Sequence, residues 1–335
     1  MGKPTYILAI ESSCDDTSAA IIKDGLVISN IVSVQTAHAE YGGVVPELAS
    51  REHQLHIVPV VDSAIKKAGI LKTELSAIAV TRGPGLLGSL IVGVTFAKSL
   101  ALALDIPLIE VHHMHAHVLA HFAEPPFPTF PFLCLTVSGG HTQIIKVESP
   151  LQMEILGQTI DDAAGEAFDK AGKMLGLPYP AGPILDKYAQ QGEAIYPFTR
   201  SKVGDLNFSF SGLKTSILYF IRDKVKEDPE FINKEINNIC ASVQAAIIDM
   251  LMHKLKKAVK QTGIAEIAIA GGVSANSGLR QAVIAEAEVS SWNHYIPDFQ
   301  YCRDNAGMIG VAAHYKYLKG EFVGQNLAAE ARLEF

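Results

Sequence analysis

The sequence predicts an α/β protein made of two duplicated halves, each with a sheet flanked by helices. A weak internal repeat is the first reason: residues 6–34 and 131–158 both read as three strands, with a cluster of small and polar residues after the first strand. Helices and strands then alternate after each triplet, as they do in sheets covered by helices. The length of 335 residues also favours two domains over one. We therefore expect two α/β domains that face each other across a cleft.

The remaining elements follow from the period of the hydrophobic residues. In the first half, this period predicts a helix at about 46–68, a strand at 77–82, a helix at about 86–104 and a strand at 107–111. In the second half, it predicts helices at about 164–176, 181–191, 213–225 and 235–262, a strand at 265–270, a helix from near Ser274 and a last helix at about 305–318. The Pro- and Phe-rich stretch 124–132 is the best candidate for a hinge or boundary.

Composition argues against several classes of protein. The four cysteines have no CxxC spacing and no leader-like segment opens the chain, so we expect a reducing cytoplasmic setting without a disulfide framework. The apolar stretch 86–104 is interrupted by small and polar residues and by Lys98, which favours a buried helix over a membrane span. The net charge of −7 argues against a protein that holds nucleic acid unaided, because phosphate binding usually needs a basic excess.

Four turns rich in small residues are candidates for anion binding, because glycine lets backbone N–H groups approach a phosphate closely. They are TRGPGLLGS (81–89), TVSGGHTQ (136–143), LPYPAGPILD (177–186) and AGGVSANSGLR (270–280). None has the glycine pattern of a dinucleotide fold or a P-loop. Ordinary loop structure explains any one of them, but a strand-leaving turn in each half favours a phosphate held between the two domains.

Acidic residues cluster in two places. In DDAAGEAFDK (161–170), Asp161 and Asp162 suit the start of a helix, where the helix dipole favours acidic groups. Asp169 lies deeper in the same predicted helix and could reach a ribose hydroxyl or an amine. Asp15 and Asp16 follow the first strand and are candidates to face the cleft.

Four of the twelve histidines fall in VHHMHAH (111–117), after a predicted strand. His113 and His117 are four residues apart, so a helix presents both imidazoles on one side, as zinc or iron(II) sites require. His112 and His115 are three apart and form a poorer pair on another side. A histidine cluster without a metal remains the alternative.

A metal site needs at least one more ligand, and a protease needs a base. Asp304, in CRDNAG (302–307) just before the last predicted helix, is a candidate third ligand. A zinc protease would carry glutamate after the first histidine of the pair, where this chain has Met114. The sequence therefore disfavours a metalloprotease.

Nine motifs together resemble the TsaD family of bacterial tRNA N6-adenosine threonylcarbamoyltransferases, within the actin-like/Hsp70/sugar-kinase superfamily. They occur in order along nearly the whole chain: ESSCDDTSAAI, YGGVVPELASREH, GPGLLGSL, VHHMHAH, VSGGHTQ, IDDAAGEAFDKAGKMLGL, NFSFSGLKT, AGGVSANSGLR and CRDNAGMIG. The resemblance implies two duplicated actin-like (RNase H-like) domains, each a mixed sheet flanked by helices, with a nucleotide cleft between them. We expect the first domain at 1–112 with the C-terminal helix 305–335, and the second at 113–304.

The resemblance also implies roles for individual residues. His113, His117 and Asp304 fall on the family's metal ligands, for one divalent ion per subunit, Fe²⁺ favoured and Zn²⁺ second. The implied substrate-binding residues are Thr136, Val137, Ser138, Gly139, Gly140, Asp169, Gly182 and Asn276, with Asp186 close by. The histidine motif of the family more often has Glu-Gly where this chain has His115 and Ala116. We consider Asp15 or Glu11 as the acceptor of the amine proton.

The implied reaction transfers threonylcarbamoyl from threonylcarbamoyl-AMP to N6 of adenosine 37 in tRNAs that read ANN codons, and AMP leaves. The implied partners are tRNA, a TsaB-like subunit, a TsaE-like ATPase and a TsaC/Sua-type synthase that supplies the adenylate. We expect accessory subunits to complete the tRNA surface. Lysines 254, 256, 257 and 260, and Arg200, Lys202 and Lys214, are candidate local basic patches. An ATPase or small-molecule kinase of the same superfamily, and a non-catalytic nucleotide-binding subunit, are the alternative functions.

Overall fold

The computed structural model describes residues 3–198 and 203–335 and contains ten strands within them. In chain order the strands are β1 (Tyr6–Glu11), β2 (Asp16–Lys23), β3 (Leu26–Val34), β4 (Ala77–Gly83), β5 (Leu108–His112), β6 (Phe132–Val137), β7 (Thr142–Ser149), β8 (Gln152–Gln158), β9 (Glu266–Ala270) and β10 (Asn293–Tyr295).

The described residues also form ten α-helices. They are α1 (Pro46–Ala68), α2 (Leu87–Leu104), α3 (His113–Leu119), α4 (Ala164–Met174), α5 (Ala181–Ala189), α6 (Ser211–Glu227), α7 (Phe231–Thr262), α8 (Ser277–Ser290), α9 (Phe299–Cys302) and α10 (Ala306–Lys319). Short 3₁₀ helices occur at Thr36–Tyr41, Lys72–Glu74, Ala120–Phe122 and Gly272–Ala275.

The chain divides into two units. The first contains Met1–Phe127, Ser149–Gln152 and Pro297–Phe335, and the second contains Pro128–Glu148 and Met153–Ile296. This division differs from the boundary expected at 112/113, because residues 113–127 belong to the first unit. The reason is that α3 continues directly from β5 and packs against α10, which also belongs to that unit.

The sheet of the first unit has the strand order β3-β2-β1-β4-β5. Strands β1, β2 and β3 form an antiparallel meander, and β4 and β5 continue from β1 in parallel. Almost every residue of β1 and β4 is buried, which is why these strands read as continuous apolar runs. Helices α1 and α2 pack on the sheet and on each other, and α10 packs on β1 and β2.

The sheet of the second unit has the order β10-β9-β6-β7-β8. Strand β6 pairs antiparallel with β7 and parallel with β9, and β9 pairs parallel with β10. Its core includes Leu133, Leu135 and Val137 of β6, with α4 and the long α7 packed against it. When the second sheet is described from β8 to β10, its order is β8-β7-β6-β9-β10, which corresponds strand for strand to β3-β2-β1-β4-β5 of the first unit. The duplication expected from the internal repeat is therefore confirmed.

Helix α2 is the one described helix that is long and apolar enough to cross a membrane. Its small residues Gly93, Ala97 and Ala101 are buried, and the helix packs on β4 and α1. This packing accounts for the apolar composition of α2 as part of a protein core. Its outer side still carries exposed Leu87, Ile91 and Leu102.

Candidate metal centre and substrate-binding turns

The histidine motif lies at the junction of β5 and α3 in the first unit. His112 ends the strand, and its Nδ1 accepts a hydrogen bond from the N–H of Met114 at 3.1 Å, which caps the helix. His113 and His117 then lie one turn apart on α3, both buried, with ring centroids 4.7 Å apart. The predicted four-residue spacing on a helix is therefore confirmed.

Asp304 lies next to both of these imidazoles. Its Oδ1 is 3.1 Å from His117 Nε2 and 3.5 Å from His113 Nε2, and one ligand atom from each residue lies within 4.8 Å of the other two. The carboxylate is placed in the short link between α9 and α10, where Asn305 caps α10 by accepting from the N–H of Met308. Two imidazole nitrogens and one carboxylate oxygen, all facing one another, form a donor set that suits zinc or iron(II).

Glu11, the last residue of β1, supports the same cluster from the opposite side. Its side chain is fully buried, and its Oε2 lies 3.1 Å from His113 Nδ1 and accepts from Thr81 Oγ1 at 2.6 Å. Its Oε1 accepts from the N–H of Ser13. A carboxylate at Nδ1 fixes the proton there and leaves Nε2 available as a ligand, which is the usual arrangement behind metal-binding histidines. This geometry favours an orienting role for Glu11 over the proton-accepting role considered from the sequence.

The electrostatics of the cluster follow from this packing. Burial alone would lower the pKa of His113, but the carboxylates of Asp304 and Glu11 outweigh it and raise that pKa to about 9. Burial alone would raise the pKa values of Asp304 and Glu11, but the neighbouring histidines hold both below their ordinary values. A metal ion that binds His113 must therefore displace a proton. His117 Nδ1 is buried and has no hydrogen-bond partner among the described residues.

Asp15 and Asp16 lie in the turn after β1 but differ in environment. Asp15 is half-buried, whereas Asp16 is buried and its Oδ2 accepts from Arg303 at 3.3 Å. Burial raises the pKa of Asp16 to about 7, since the charge of Arg303 compensates only in part. Asp15 is thus the more accessible of the two carboxylates.

His53 of α1 is a buried residue near this turn that the sequence did not single out. Its Nε2 donates to the carbonyl oxygen of Cys14 at 3.0 Å, and its Nδ1 accepts from Thr17 Oγ1 at 2.7 Å. The imidazole therefore fixes the backbone on both sides of Asp15 and Asp16. Its place in the ELASREH motif was the available signal, but the partner of a buried histidine cannot be read from sequence.

In the second unit, two of the predicted glycine turns lie side by side. Thr136 of β6 is in register with Ala270 of the parallel β9, so the turns after both strands meet at one edge of the sheet. Gly271 has φ 86°, and a Cβ there would lie 2.4 Å from the carbonyl oxygen of Val137, so only glycine permits this approach. Beside Gly139 and Gly140, by contrast, a Cβ would meet no heavy atom within 4 Å. These exposed glycines leave open space next to backbone N–H groups.

The other predicted substrate-binding residues shape this part of the unit through hydrogen bonds. Asp169 Oδ1 accepts from the N–H groups of Ala181 and Gly182 at the start of α5, at 2.9 and 3.2 Å. Asn276 caps α8 through Oδ1, and its Nδ2 donates to Gln244. Within the chain, Asp169 thus uses one carboxylate oxygen, whereas Asn276 uses both its oxygen and its nitrogen.

Asp186 links two of these elements. Its carboxylate accepts from the N–H and the hydroxyl of Ser277, at 3.1 and 2.6 Å, and so ties α5 to the start of α8. The turns at 177–186 and 270–280, which the sequence identified separately, are therefore joined by hydrogen bonds within the second unit.

The acidic motif at 161–170 differs from its predicted role at one residue. Asp161 does not act at the start of α4: its carboxylate accepts from the N–H of Phe210 at 2.8 Å and from the hydroxyls of Ser209 and Ser211. It therefore holds the NFSFSG segment at the start of α6. Asp162 pairs with Lys170 at 2.8 Å.

The candidate basic patches are largely engaged within the chain. Lys256 pairs with Glu286 at 2.6 Å, and Lys254 and Lys257 donate to the carbonyl oxygen of Asp205. Lys214 lies 4.0 Å from Asp162. Arg200 and Lys202 lie outside the described residues.

Comparisons with known proteins identify the family of this chain. Residues 26–311 match the family model described as TsaD, tRNA N6-adenosine threonylcarbamoyltransferase. A relative of that name from Christiangramia forsetii is 58% identical over 333 residues, which cover 98% of either chain.

Among solved structures, full-length HypF in its phosphate- and nucleotide-bound form aligns with a TM-score of 0.63 at 15% identity, over 95% of this chain and 47% of HypF. Component A of (R)-2-hydroxyglutaryl-CoA dehydratase from Acidaminococcus fermentans aligns with a TM-score of 0.54 at 15% identity, over 94% of this chain and 98% of its own. These two likenesses concern the fold and confirm the actin-like class. Because the family model spans most of the chain and the cited relative matches nearly all of it, the chain belongs to the TsaD family of tRNA N6-adenosine threonylcarbamoyltransferases.

Proposed function

We propose that this chain transfers the threonylcarbamoyl group from threonylcarbamoyl-AMP to N6 of adenosine 37 in tRNAs that read ANN codons. The observation that carries the proposal is the cluster of His113, His117 and Asp304, with Glu11 behind it, in a member of this transferase family. The alternative functions, an ATPase or a small-molecule kinase, are not favoured, because the family and the cited relative are both named for threonylcarbamoyl transfer.

His113, His117 and Asp304 are the proposed ligands of one divalent ion, Fe²⁺ first and Zn²⁺ second. Their nitrogens and oxygen already face one another, and Glu11 fixes the ring of His113, so the donor set fits such an ion. When bound, the ion supplies positive charge and free coordination positions for substrate oxygens. Three protein ligands are also the number that leaves such positions free.

In the second unit, the turns around Gly139 and Gly140 and at the start of α8 are the proposed site for the adenylate. The main support is the open space beside both exposed glycines, since glycine turns let backbone N–H groups approach an anion closely. Thr136, Val137 and Ser138 lead into this turn, Gly182 is the second residue of α5, and Asn276 caps α8. Asp169 and Asp186 hold these elements in place and complete the proposed set.

The transfer itself is a displacement at the carbamoyl carbon. The N6 lone pair forms the new C–N bond, the C–O bond to the phosphate of AMP breaks with its electron pair, and the amine proton passes to a base. Asp15 is the proposed acceptor, because it is half-buried and lies in the turn that follows Glu11, whereas Glu11 itself is fully engaged. No group in the cluster is an activated nucleophile, which suits direct transfer by positioning.

The proposed partners follow from charge and surface. The chain carries a net charge of −7, and three of its clustered lysines are bonded internally, so accessory subunits are needed to complete the tRNA surface. A TsaB-like subunit is proposed to cover the exposed apolar residues of α1 and α2, which include Leu55, Val58 and Leu102. A TsaE-like ATPase and a TsaC/Sua-type synthase complete the proposed system, which operates in the cytoplasm.

The test combines the purified chain, its partners, labelled threonylcarbamoyl-AMP and an ANN-decoding tRNA. His113→Ala and Asp304→Ala are expected to remove both bound metal and label transfer, while His294→Ala, at an exposed histidine of β10, leaves both unchanged. Absence of label on tRNA with the unmodified chain would contradict the function. Unchanged metal content in both cluster variants would contradict the ligand assignment.

A second test addresses the adenylate site alone. A Cβ at Gly140 meets nothing in the protein but would occupy the proposed ligand space, so Gly140→Ala should weaken adenylate binding without lowering the melting temperature. Gly204→Ala, also in open space, is the matched control. Equal adenylate affinity in the two variants would place the ligand elsewhere.

A further inference from the structure

The C-terminal segment 330–335 lies along the histidine motif in the first unit. The N–H of Glu330 donates to the carbonyl oxygen of Arg82 at 2.9 Å, and the N–H of Gly85 donates to the carbonyl oxygen of Ala331 at 3.1 Å. The carboxylate of Glu330 also pairs with Arg82 at 2.9 Å. The segment is therefore fixed next to the end of β4 before it reaches its last three residues.

Two of those last three residues, Leu333 and Phe335, contact the two histidines that have no proposed ligand role. The carbonyl oxygen of Leu333 lies 3.3 Å from His112 Nε2, and the ring of Phe335 packs edge-on against His112 and His115, with centroids 5.6 and 4.4 Å away. His112 and His115 stack on each other at 4.6 Å. The C-terminal segment 330–335, called the tail below, thus contacts His112 and His115 and not the proposed ligands His113 and His117.

The hydrogen bonds of His112 have one consistent assignment. Its Nδ1 accepts from the N–H of Met114, so the proton is on Nε2, which donates to the carbonyl oxygen of Leu333. The tail acceptor therefore selects the tautomer that caps α3. Because His113 is the first residue of that helix and His117 lies one turn later, the cap sets the position of both proposed ligands.

The tail is held by these specific contacts more than by dense packing. A cavity of about 280 Å³ lies beside it, lined by residues that include His112, His115, Leu333 and Glu334. Removal of the last three residues would widen this cavity and leave the buried strands of the sheet intact.

From these observations we infer that His112 is a positioning residue, and that the C-terminal residues Leu333–Phe335 hold it in the form that caps α3 and orders the metal ligands. The inference rests on the proposed metal site. It assigns a role to His112, one of the two histidines of the motif that are not proposed ligands. It also predicts energetic coupling between the last residues of the chain and a helix more than two hundred positions earlier in the sequence.

The test is a cycle of variants measured by Zn²⁺ equilibrium dialysis and by hydrogen exchange of the α3 amides. Removal of Leu333–Phe335 and the substitution His112→Ala should each weaken Zn²⁺ affinity at least about fivefold and speed exchange in α3, as loss of a helix cap does. Combined, they should weaken it little more than either alone, because both remove the same cap. In His112→Asn, where asparagine caps without help from the tail, removal of Leu333–Phe335 should have no further effect.

Arg332→Ala, at an exposed side chain of the same segment, is the control and should behave like the unmodified chain. If the shortened chain does not fold, Phe335→Ala takes its place in the cycle. Unchanged α3 exchange in the shortened chain, or additive effects of the two changes, would overturn the inference. If the unmodified chain binds no Zn²⁺, the proposed metal site fails instead, and the exchange data alone decide the role of the tail.

Discussion

Glu11 and His113 are 102 positions apart in the sequence, yet Oε2 of the first lies 3.1 Å from Nδ1 of the second. The contact joins the end of β1 to the start of α3. It forms because β1 and β4 are parallel neighbours, as are β4 and β5, so their carboxyl ends meet at one edge of the sheet. Thr81 at the end of β4 completes the link by donating to the same oxygen.

Replacement of Glu11 by alanine should lower the metal affinity of the chain by about 10- to 100-fold, the usual effect of losing the carboxylate behind a ligating histidine. The reason is that His113 loses the acceptor that fixes its ring and keeps its proton on Nδ1. Competition between the protein and a chromophoric chelator for Zn²⁺ measures the change. Glu40→Ala, at an exposed residue, is the control, and equal affinities in the two variants would argue against the orienting role.

Sequence patterns predicted most of the fold because the signals are local. The apolar runs of β1 and β4 and the period of α1 and α10 placed these elements within a few residues of their observed bounds. Two short elements were missed, β10 and α9. Each has three or four residues, too few for a hydrophobic period to emerge, and each is formed by its neighbours in the tertiary structure.

The sequence predicted only those relations within the candidate site that depend on local spacing. His113 and His117 are related by helix spacing, so the sequence identified them as a pair. Their relation to Glu11, and that of His112 to Leu333, depends on strand order and on the path of the C-terminal segment, which no local pattern encodes. For Asp161, the local pattern was misleading. Its position suited the start of α4, but its carboxylate accepts a hydrogen bond from the N–H of Phe210, just before α6.

Substitution of Gly271 by alanine should destabilise the second unit, whereas substitution of Gly272 should not. At Gly271, φ is 86° and a Cβ would overlap the carbonyl oxygen of Val137 at 2.4 Å, while at Gly272 it would meet nothing within 4 Å. A strained left-handed residue with such a contact costs on the order of 1–3 kcal/mol. Urea unfolding of the two variants measures the difference, and equal midpoints would show that the turn adjusts without cost.

Asp16→Asn should stabilise the chain at alkaline pH. Burial raises the pKa of Asp16 from 3.8 to about 7, so above that pH the folded protein carries a buried charge that the unfolded chain holds in water. As the pH falls from about 7 towards 3.8, the folded state takes up the proton first and this cost decreases steadily. The gain in the variant should therefore be larger at about pH 8 than at about pH 5, by on the order of 2–3 kcal/mol. A constant difference across this range, followed by thermal unfolding, would contradict the assignment.

Because His53 is buried as a neutral imidazole, the free energy of unfolding should decrease as the pH falls. Burial lowers the pKa of His53 below its ordinary 6.5, and both ring nitrogens are committed to Cys14 and Thr17 as a neutral imidazole. Below 6.5 the unfolded chain takes up a proton that the folded chain does not, so stability is present above that pH and is lost as the pH falls. This one group should therefore contribute a loss of stability between about pH 7.5 and about pH 5.5. In His53→Gln, whose amide can donate and accept but does not titrate, that part of the pH dependence should vanish. Urea unfolding of both proteins at the two pH values measures how much the free energy of unfolding changes with pH. An equal change in the two proteins would mean that His53 becomes protonated in the folded protein.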